Sequence, residues 1–186
     1  MAIIGFVGQK HCGKTTACNI IKKHLPDAVQ INFKDALVKE IKDNFPTLLQ
    51  VMLEQYNDAY GPDLTIDKLF VLKPPLVRAL LQNYGTEVRR NENPYYWTRR
   101  WKEKVYNATR KEDVPIVVDD VRFQNEADTV KAHKGILVRL TRSDILTNDD
   151  LHASEQEQES IECDYVITVG KGEFEKLEER LLEIIK

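Results

Sequence analysis

The stretch AIIGFVGQKHCGKTTACNIIKKHL, residues 2–25, constrains this chain more than any other. An apolar run ends in GQKHCGKT, which fits GxxxxGK[ST] from Gly8 to Thr15, and a helical pattern follows at once. Glycines at the two ends let the backbone curl so that its N–H groups point inward at phosphate oxygens. The helix behind the loop adds its positive N-terminal end. Lys14 then reaches the β- and γ-phosphates as a point charge, and Thr15 offers a hydroxyl to Mg²⁺. Thr16 reads as a helix residue near the α-phosphate. The strand before and the helix after are the context this motif needs, so the stretch predicts a nucleoside triphosphate site.

The rest of the chain alternates short apolar runs with helical patterns. Strands are expected at 2–7, 28–33, 115–118, 136–140 and 165–169. Helices are expected at 14–24, 34–45, 48–59, 76–90, 96–111, 125–133 and 173–185, with turn signals over 61–75. Strands separated by helices argue for a five-stranded parallel sheet with helices on both faces, an α/β arrangement of the P-loop NTPase class. The length suits a single domain, 1–186, with a helical insertion over about 34–112 and a short lid over about 142–155.

Ligands of such sheets bind at the carboxyl ends of the strands. Four segments meet that criterion: 8–15, 33–35, 119–122 and 139–142. In VVDD, a carboxylate at a strand end can hold Mg²⁺, often through water. Asp119 and Asp120 point to opposite sides of an extended strand, so one serves the metal while the other can cap the next helix. Arg122, Arg139 and Arg142 are candidates for steadying the charge of a phosphoryl group in flight. A surface ion pair is the alternative reading of each. The polar loop after Arg142 can close and exclude water.

About 80 residues, Phe33 to Glu112, separate the second strand from VVDD, far more than a simple crossover needs. They contain FKDALVKEI and LVRALLQNYGTEVRRNENPYYW. On one α-helix Arg78 and Arg89 are about three turns apart and share a face. With Arg90 they form a set able to grip an acceptor phosphate. Tyr84, Tyr95, Tyr96 and Trp97 offer flat surfaces to a base, or fill a core. Asp35 meets the acceptor or the metal, or caps a helix. The basic, aromatic segment 89–111 also fits a nucleic-acid surface; a solvated helix face explains the same charges.

Composition narrows the partners. A net charge of −3 gives no overall pull towards nucleic acid or anionic membrane. No apolar run approaches the ~20 residues that span a bilayer, and the N-terminus enters a strand with no leader pattern, so a cytoplasmic protein is expected. Cys12, Cys18 and Cys163 have no CxxC spacing, which suggests neither a disulfide framework nor a zinc site. Cys12 reads as a small neutral filler of the loop. The apolar stripe of EFEKLEERLLEII suits packing on the sheet, with a homodimer as the alternative.

Taken together, GQKHCGKTT, FKDALVKEI, LLQNYGTEVRR followed by NPYYW, VVDDVRFQNEAD and HASEQE resemble the bacteriophage deoxynucleoside monophosphate kinases. These are P-loop enzymes of the nucleoside-monophosphate-kinase fold, and the resemblance runs through nearly the whole chain. It implies transfer of the γ-phosphoryl of ATP to a dNMP, with Mg²⁺. By position it implies that Gly8, Gly13, Lys14, Thr15 and Thr16 bind the donor phosphates and that Asp120, rather than Asp119, is the matching carboxylate. Arg122 would face the phosphates. Lys34 and Asp35 would lie beside the acceptor, and Gly85, Thr86, Glu87 and Arg90 would form the acceptor motif, with Trp97 beyond it. His152, Ser154 and Glu155 match the stretch after the lid. The chain departs from the family pattern at Gln124, where Pro is frequent, and in a lid with few arginines after Arg142. Arg122, Arg139 and Arg142 would then have to supply the catalytic cations. The rival readings are a P-loop kinase with another acceptor (a sugar, a coenzyme precursor or a nucleic-acid 5′ end) and a nucleotide-gated DNA-binding protein.

Overall fold

The computed structural model describes residues 2–110, 112–144 and 153–185, without the side chains of 153–156. Five strands, β1 (Ile3–Val7), β2 (Val29–Gln30), β3 (Ile116–Val118), β4 (Ile136–Arg142) and β5 (Tyr165–Val169), form one sheet in the order β2-β3-β1-β4-β5. Every pairing is parallel. Such strands are buried on both faces, and β1 and β3 accordingly carry nothing but apolar residues and one glycine.

The strand period of two sorts these side chains into two cores. Ile3, Ile116, Val118 and Leu137 pack with Trp101 and Val105 of α6 (Tyr96–Thr109) and with Ala127 and Val130 of α7 (Gln124–Ala132). Ile4, Phe6, Val117, Val138 and Leu140 pack on the other face with Ala17, Cys18 and Ile21 of α1 (Lys14–His24). Leu177 and Leu181 of the terminal helix α9 (Phe174–Ile185) join this second core, so its apolar stripe lies on the sheet. Helices therefore cover both faces.

This arrangement creates the opening in which the site forms. β1 and β3 are neighbours, yet the helix after β1 packs on one face and the helix after β3 on the other. Their connecting loops diverge at the carboxyl ends, leaving a crevice at the point where strand order reverses.

The chain divides into two compact units. One comprises residues 1–33 and 101–186 and holds the sheet; the other, 34–100, is helical. The helical unit contains α2 (Lys34–Asn44), α3 (Pro46–Tyr60), α4 (Ile66–Leu72), α5 (Pro75–Gln82) and a π-helix, Asn83–Arg90. It has a core of its own around Ile41, Leu49, Leu69, Val77, Tyr84 and Trp97.

Three local expectations change. The second strand pairs only over Val29–Gln30, although the Ile31 amide still donates to the Val117 carbonyl at 3.1 Å. The turn-rich stretch 61–75 contains α4, started by the Thr65 hydroxyl, which accepts from the Lys68 amide at 3.2 Å. The helix expected over 76–90 is α-helical only to Gln82, then widens into the π-helix.

Candidate active site

The phosphate loop is shaped by two glycines with different reasons for being there. A Cβ on Gly8 would lie 2.3 Å from the Leu140 carbonyl oxygen and 2.8 Å from Cys12 Sγ, so no side chain fits. Gly13 has open space around it but sits at φ 102°, left-handed backbone that only glycine adopts cheaply. Cys12 is buried as the loop's apolar filler. Lys14 Nζ arches over the loop and donates to the carbonyls of Gly8 at 2.5 Å and Gln9 at 2.7 Å.

Thr15 Oγ1 donates to Asp119 Oδ2 at 2.9 Å, across 104 residues of sequence. Asp119 is 5% exposed, and its own amide donates to Asn32 Oδ1 at 2.9 Å. The Asn32 bond fixes the Asp119 backbone, and the Thr15 hydroxyl engages its carboxylate. Asp120 faces the other way, where its Oδ1 accepts from the Phe33 amide at 3.0 Å. It therefore braces the end of the β2 segment instead of capping α7. That cap belongs to Glu126, whose Oε2 accepts from the amides of Arg122 at 2.8 Å and Phe123 at 3.2 Å. The loop carrying the half-buried Arg122 is thereby pinned at its backbone.

The two later arginines have different partners. β4 runs on to Arg142, so Arg139 lies within the strand. Its guanidinium donates to the carbonyls of Gln158 at 3.1 Å, Glu159 at 3.4 Å and Ile161 at 2.5 Å, at the C-terminal end of α8 (Ala153–Ser160). These carbonyls lack helical partners, and a cation there also suits the helix dipole. Arg139 thus anchors the end of α8. Arg142 grips Asp144 with two bonds, at 2.9 and 2.5 Å, and reaches the His11 carbonyl of the phosphate loop at 3.4 Å. The pairing raises the arginine's pKa and lowers that of Asp144, chiefly through these hydrogen bonds.

In the helical unit the segment NYGTEVRR is the π-helix itself. Gly85 meets Leu37 of α2 so closely that a Cβ would come within 2.8 Å of Leu37 Cδ2. The Gly85 carbonyl accepts from the Trp97 indole at 2.8 Å. Trp97 is 3% exposed, so it supports the motif from beneath instead of offering a face to a base. Thr86 and Arg90 are half-buried and Glu87 is exposed. The Thr86 carbonyl accepts from the Asn91 amide, and Arg90 reaches the Pro94 carbonyl at 3.5 Å. Lys34 and Asp35 open α2, both half-buried, with Asp35 in the first turn, where its charge suits the helix dipole.

Sequence comparison converges with this geometry. The profile of the deoxynucleotide monophosphate kinase family matches residues 72–181, more than half of the chain. The chain belongs to that family. A protein of Acanthamoeba polyphaga mimivirus, provisionally described as a deoxynucleotide monophosphate kinase, is 29% identical over the whole of this chain and 96% of its own. Among solved structures, TT1252 from Thermus thermophilus is similar in fold, with TM-score 0.51 at 14% identity, over 99% of this chain and 96% of that one. Dephospho-CoA kinase from Campylobacter jejuni covers 100% of this chain and 98% of its own at TM-score 0.47 and 14% identity. As a member of the deoxynucleotide monophosphate kinase family, the protein is an ATP-dependent phosphotransferase acting on a nucleotide.

Two sets stand out among the expected site residues. Gly8, Gly13, Lys14, Thr15, Thr16 and Asp119 gather at the phosphate loop. Gly85, Thr86, Glu87 and Arg90 lie on the π-helix. Arg78 stands half-buried on α5, and the wider turns after Gln82 rotate Arg89 off the face expected to be shared with Arg78. The side chain of Glu155, with that of Ser154, lies outside the described residues, as do His152 and most of the lid. Sequence reasoning missed Asn32, Glu126 and Glu40, whose carboxylate accepts from the Tyr84 hydroxyl and from Arg89 in the helical unit. Of these, only Glu126 had a local signal: an acid at the third helical position after a loop.

Proposed function

We propose that this kinase transfers the γ-phosphoryl of ATP to the 5′-phosphate of a deoxynucleoside monophosphate, giving the dNDP. The observation that carries this reading is a phosphate loop with Thr15 and Asp119 in contact at 2.9 Å, in a chain whose separately cored helical unit bears the family's GTEVRR segment. The phosphate loop would hold the donor, with Lys14 moving from the loop carbonyls to the β- and γ-oxygens. Thr86, Glu87 and Arg90, with Lys34, Asp35 and Arg78, would hold the acceptor.

Thr15 and Asp119 fit Mg²⁺, because both present hard oxygens beside the phosphates. Among the described residues no group of three or more His, Cys, Asp or Glu could hold a metal, which suits an ion that keeps waters and phosphate oxygens as its other ligands. When bound, the ion supplies charge neutralisation at the donor phosphates. No protein base is required, since an acceptor phosphate oxygen is already a competent nucleophile at neutral pH. The chain's own task is to align the two phosphates and to steady the charge between them. Arg122 and Arg142 are the cations proposed for that role. Asp120 would act indirectly, by fixing Phe33 and so the start of the acceptor segment.

This reading needs neither nucleic acid nor a second copy of the chain. Among the described residues no helix is long and apolar enough to cross a membrane, and the enzyme would act in the cytoplasm, where its substrates are. The test is ADP release from Mg·ATP with each dNMP, each NMP, short single-stranded DNA and no acceptor. Stimulation by dNMPs with the matching dNDP formed is expected. Stimulation by DNA alone, or by no monophosphate, would remove the acceptor from this account.

A further inference from the structure

The π-helix is the unusual element of the helical unit. Wide turns of this kind are rare, occur mostly as single turns, and are frequent at functional sites. Eight residues in that winding need something to hold them. The sequence places Tyr84 and Arg89 five apart. In an α-helix, residues i and i+5 lie about 140° apart around the axis and cannot meet. Hydrogen bonding from i to i+5 brings them to one side. Here the Arg89 guanidinium lies 5.1 Å from the centre of the Tyr84 ring and donates to the Tyr84 hydroxyl at 2.8 Å. The π winding brings this contact about.

One carboxylate closes the turn. Glu40 Oε1, on α2, accepts from both the Tyr84 hydroxyl, at 3.0 Å, and Arg89 Nη2. The Tyr96 hydroxyl donates to the same carboxylate at 3.0–3.1 Å, and the Tyr96 ring covers Arg89 from its own side at 5.1 Å. The Glu40 side chain is 18% exposed and that of Arg89 26%, so water screens this pair less than an open surface pair. Burial works against the charge of Arg89, but hydrogen bonds from it to Glu92, Glu40 and Tyr84 outweigh burial and push its pKa up. Arg89 is therefore committed to structure, and of the Arg89–Arg90 pair it is Arg90 that the acceptor motif presents.

We infer that Glu40 is a positioning residue: by stapling Tyr84 to Arg89 it fixes the π winding that places Thr86, Glu87 and Arg90. The consequence for substrate rests on the reading of these residues as the acceptor site; the consequence for winding does not. If the staple is lost, the segment relaxes towards α winding and the three residues rotate together.

Two measurements on Glu40→Ala and Tyr84→Phe separate these consequences. The first is amide hydrogen exchange over residues 88–91, which includes the Asn91 amide bonded to the Thr86 carbonyl. Faster exchange by about tenfold is expected in Glu40→Ala, since charge-assisted hydrogen bonds are removed. The second is steady-state kinetics with both substrates varied. Glu40→Ala should raise KM for dNMP about tenfold or more and leave KM for ATP unchanged. Tyr84→Phe, which keeps the ring and removes only the bridging hydroxyl, should show the same split at about threefold and carries both tests if Glu40→Ala does not fold. Unchanged exchange over 88–91 in both variants overturns the staple. A wild-type enzyme indifferent to dNMP, with exchange altered as expected, leaves the staple standing and overturns the acceptor reading instead. Altered exchange with an unmoved dNMP KM means the winding does not place the acceptor residues.

Discussion

The phosphate loop and the π-helix solve the same problem, placing a few polar groups with precision, by opposite means. In the loop the backbone does the placing. Gly8 is required because the Leu140 carbonyl leaves no room for a Cβ, and Gly13 because the chain turns left-handed there. These demands fall within one short stretch, 8–13, so they leave a local signature. In the π-helix side chains do the placing. Glu40, Tyr84, Arg89 and Tyr96 are brought together from α2, the π-helix and α6, and nothing in their spacing announces the group except the interval between Tyr84 and Arg89. A site held by backbone geometry can be read from a motif; one held by a side-chain network has to be seen folded.

The largest effect that sharpens this contrast is on the loop. Lys14→Ala should cost about 10²–10³-fold in kcat, measured as dNMP-dependent ADP release, with the fold intact. A near-wild-type rate would break the donor half of the comparison.

Next are the two aspartates, neighbours in sequence with different tasks. Asp119→Asn should lower kcat about 10²-fold with little change in the urea midpoint, because its Oδ2 meets Thr15. Asp120→Ala should cost about 1–3 kcal/mol of stability, because it orphans the Phe33 amide. Reversal of these outcomes would exchange their roles.

The smallest effect lies at the C-terminal end of α1, the end away from the phosphate loop. Glu178 pairs with His24 and Lys23, and hydrogen bonds from these two, His24 first, lower its pKa. A carboxylate lowered on folding stabilises fully above its ordinary range, and the gain is lost as pH falls through the lowered value. The difference in thermal midpoint between wild type and Glu178→Gln should therefore be present at neutral pH and vanish in acid. A difference that grew in acid would contradict the pairing.

Much of the architecture was legible because it rests on short-range patterns. β1, α1 and the closing β5–α9 segment follow directly from apolar period and loop signals. Less legible were elements whose cause is not periodic. α4 has only seven residues between turn signals, and its Thr65 cap is its one marker. The π-helix is marked in the sequence by nothing but the interval between Tyr84 and Arg89. At the site, GQKHCGKT was visible, but which aspartate meets Thr15 depended on the pleat of β3 relative to a loop 104 residues away. Arg139 was expected at a strand end; it lies inside β4, and its partners, the Gln158 and Ile161 carbonyls at the end of α8 and just past it, had no signal in the sequence.

One paired experiment separates donor from acceptor most directly: steady-state kinetics of Thr15→Ala and Arg90→Ala, with ATP and dNMP both varied. The prediction is a crossed result. Thr15→Ala impairs use of ATP and leaves KM for dNMP in place, while Arg90→Ala raises KM for dNMP about tenfold or more and leaves KM for ATP in place. Both variants moving the same constant, or Arg90→Ala moving neither, would contradict the assignment of donor and acceptor to the loop and the π-helix.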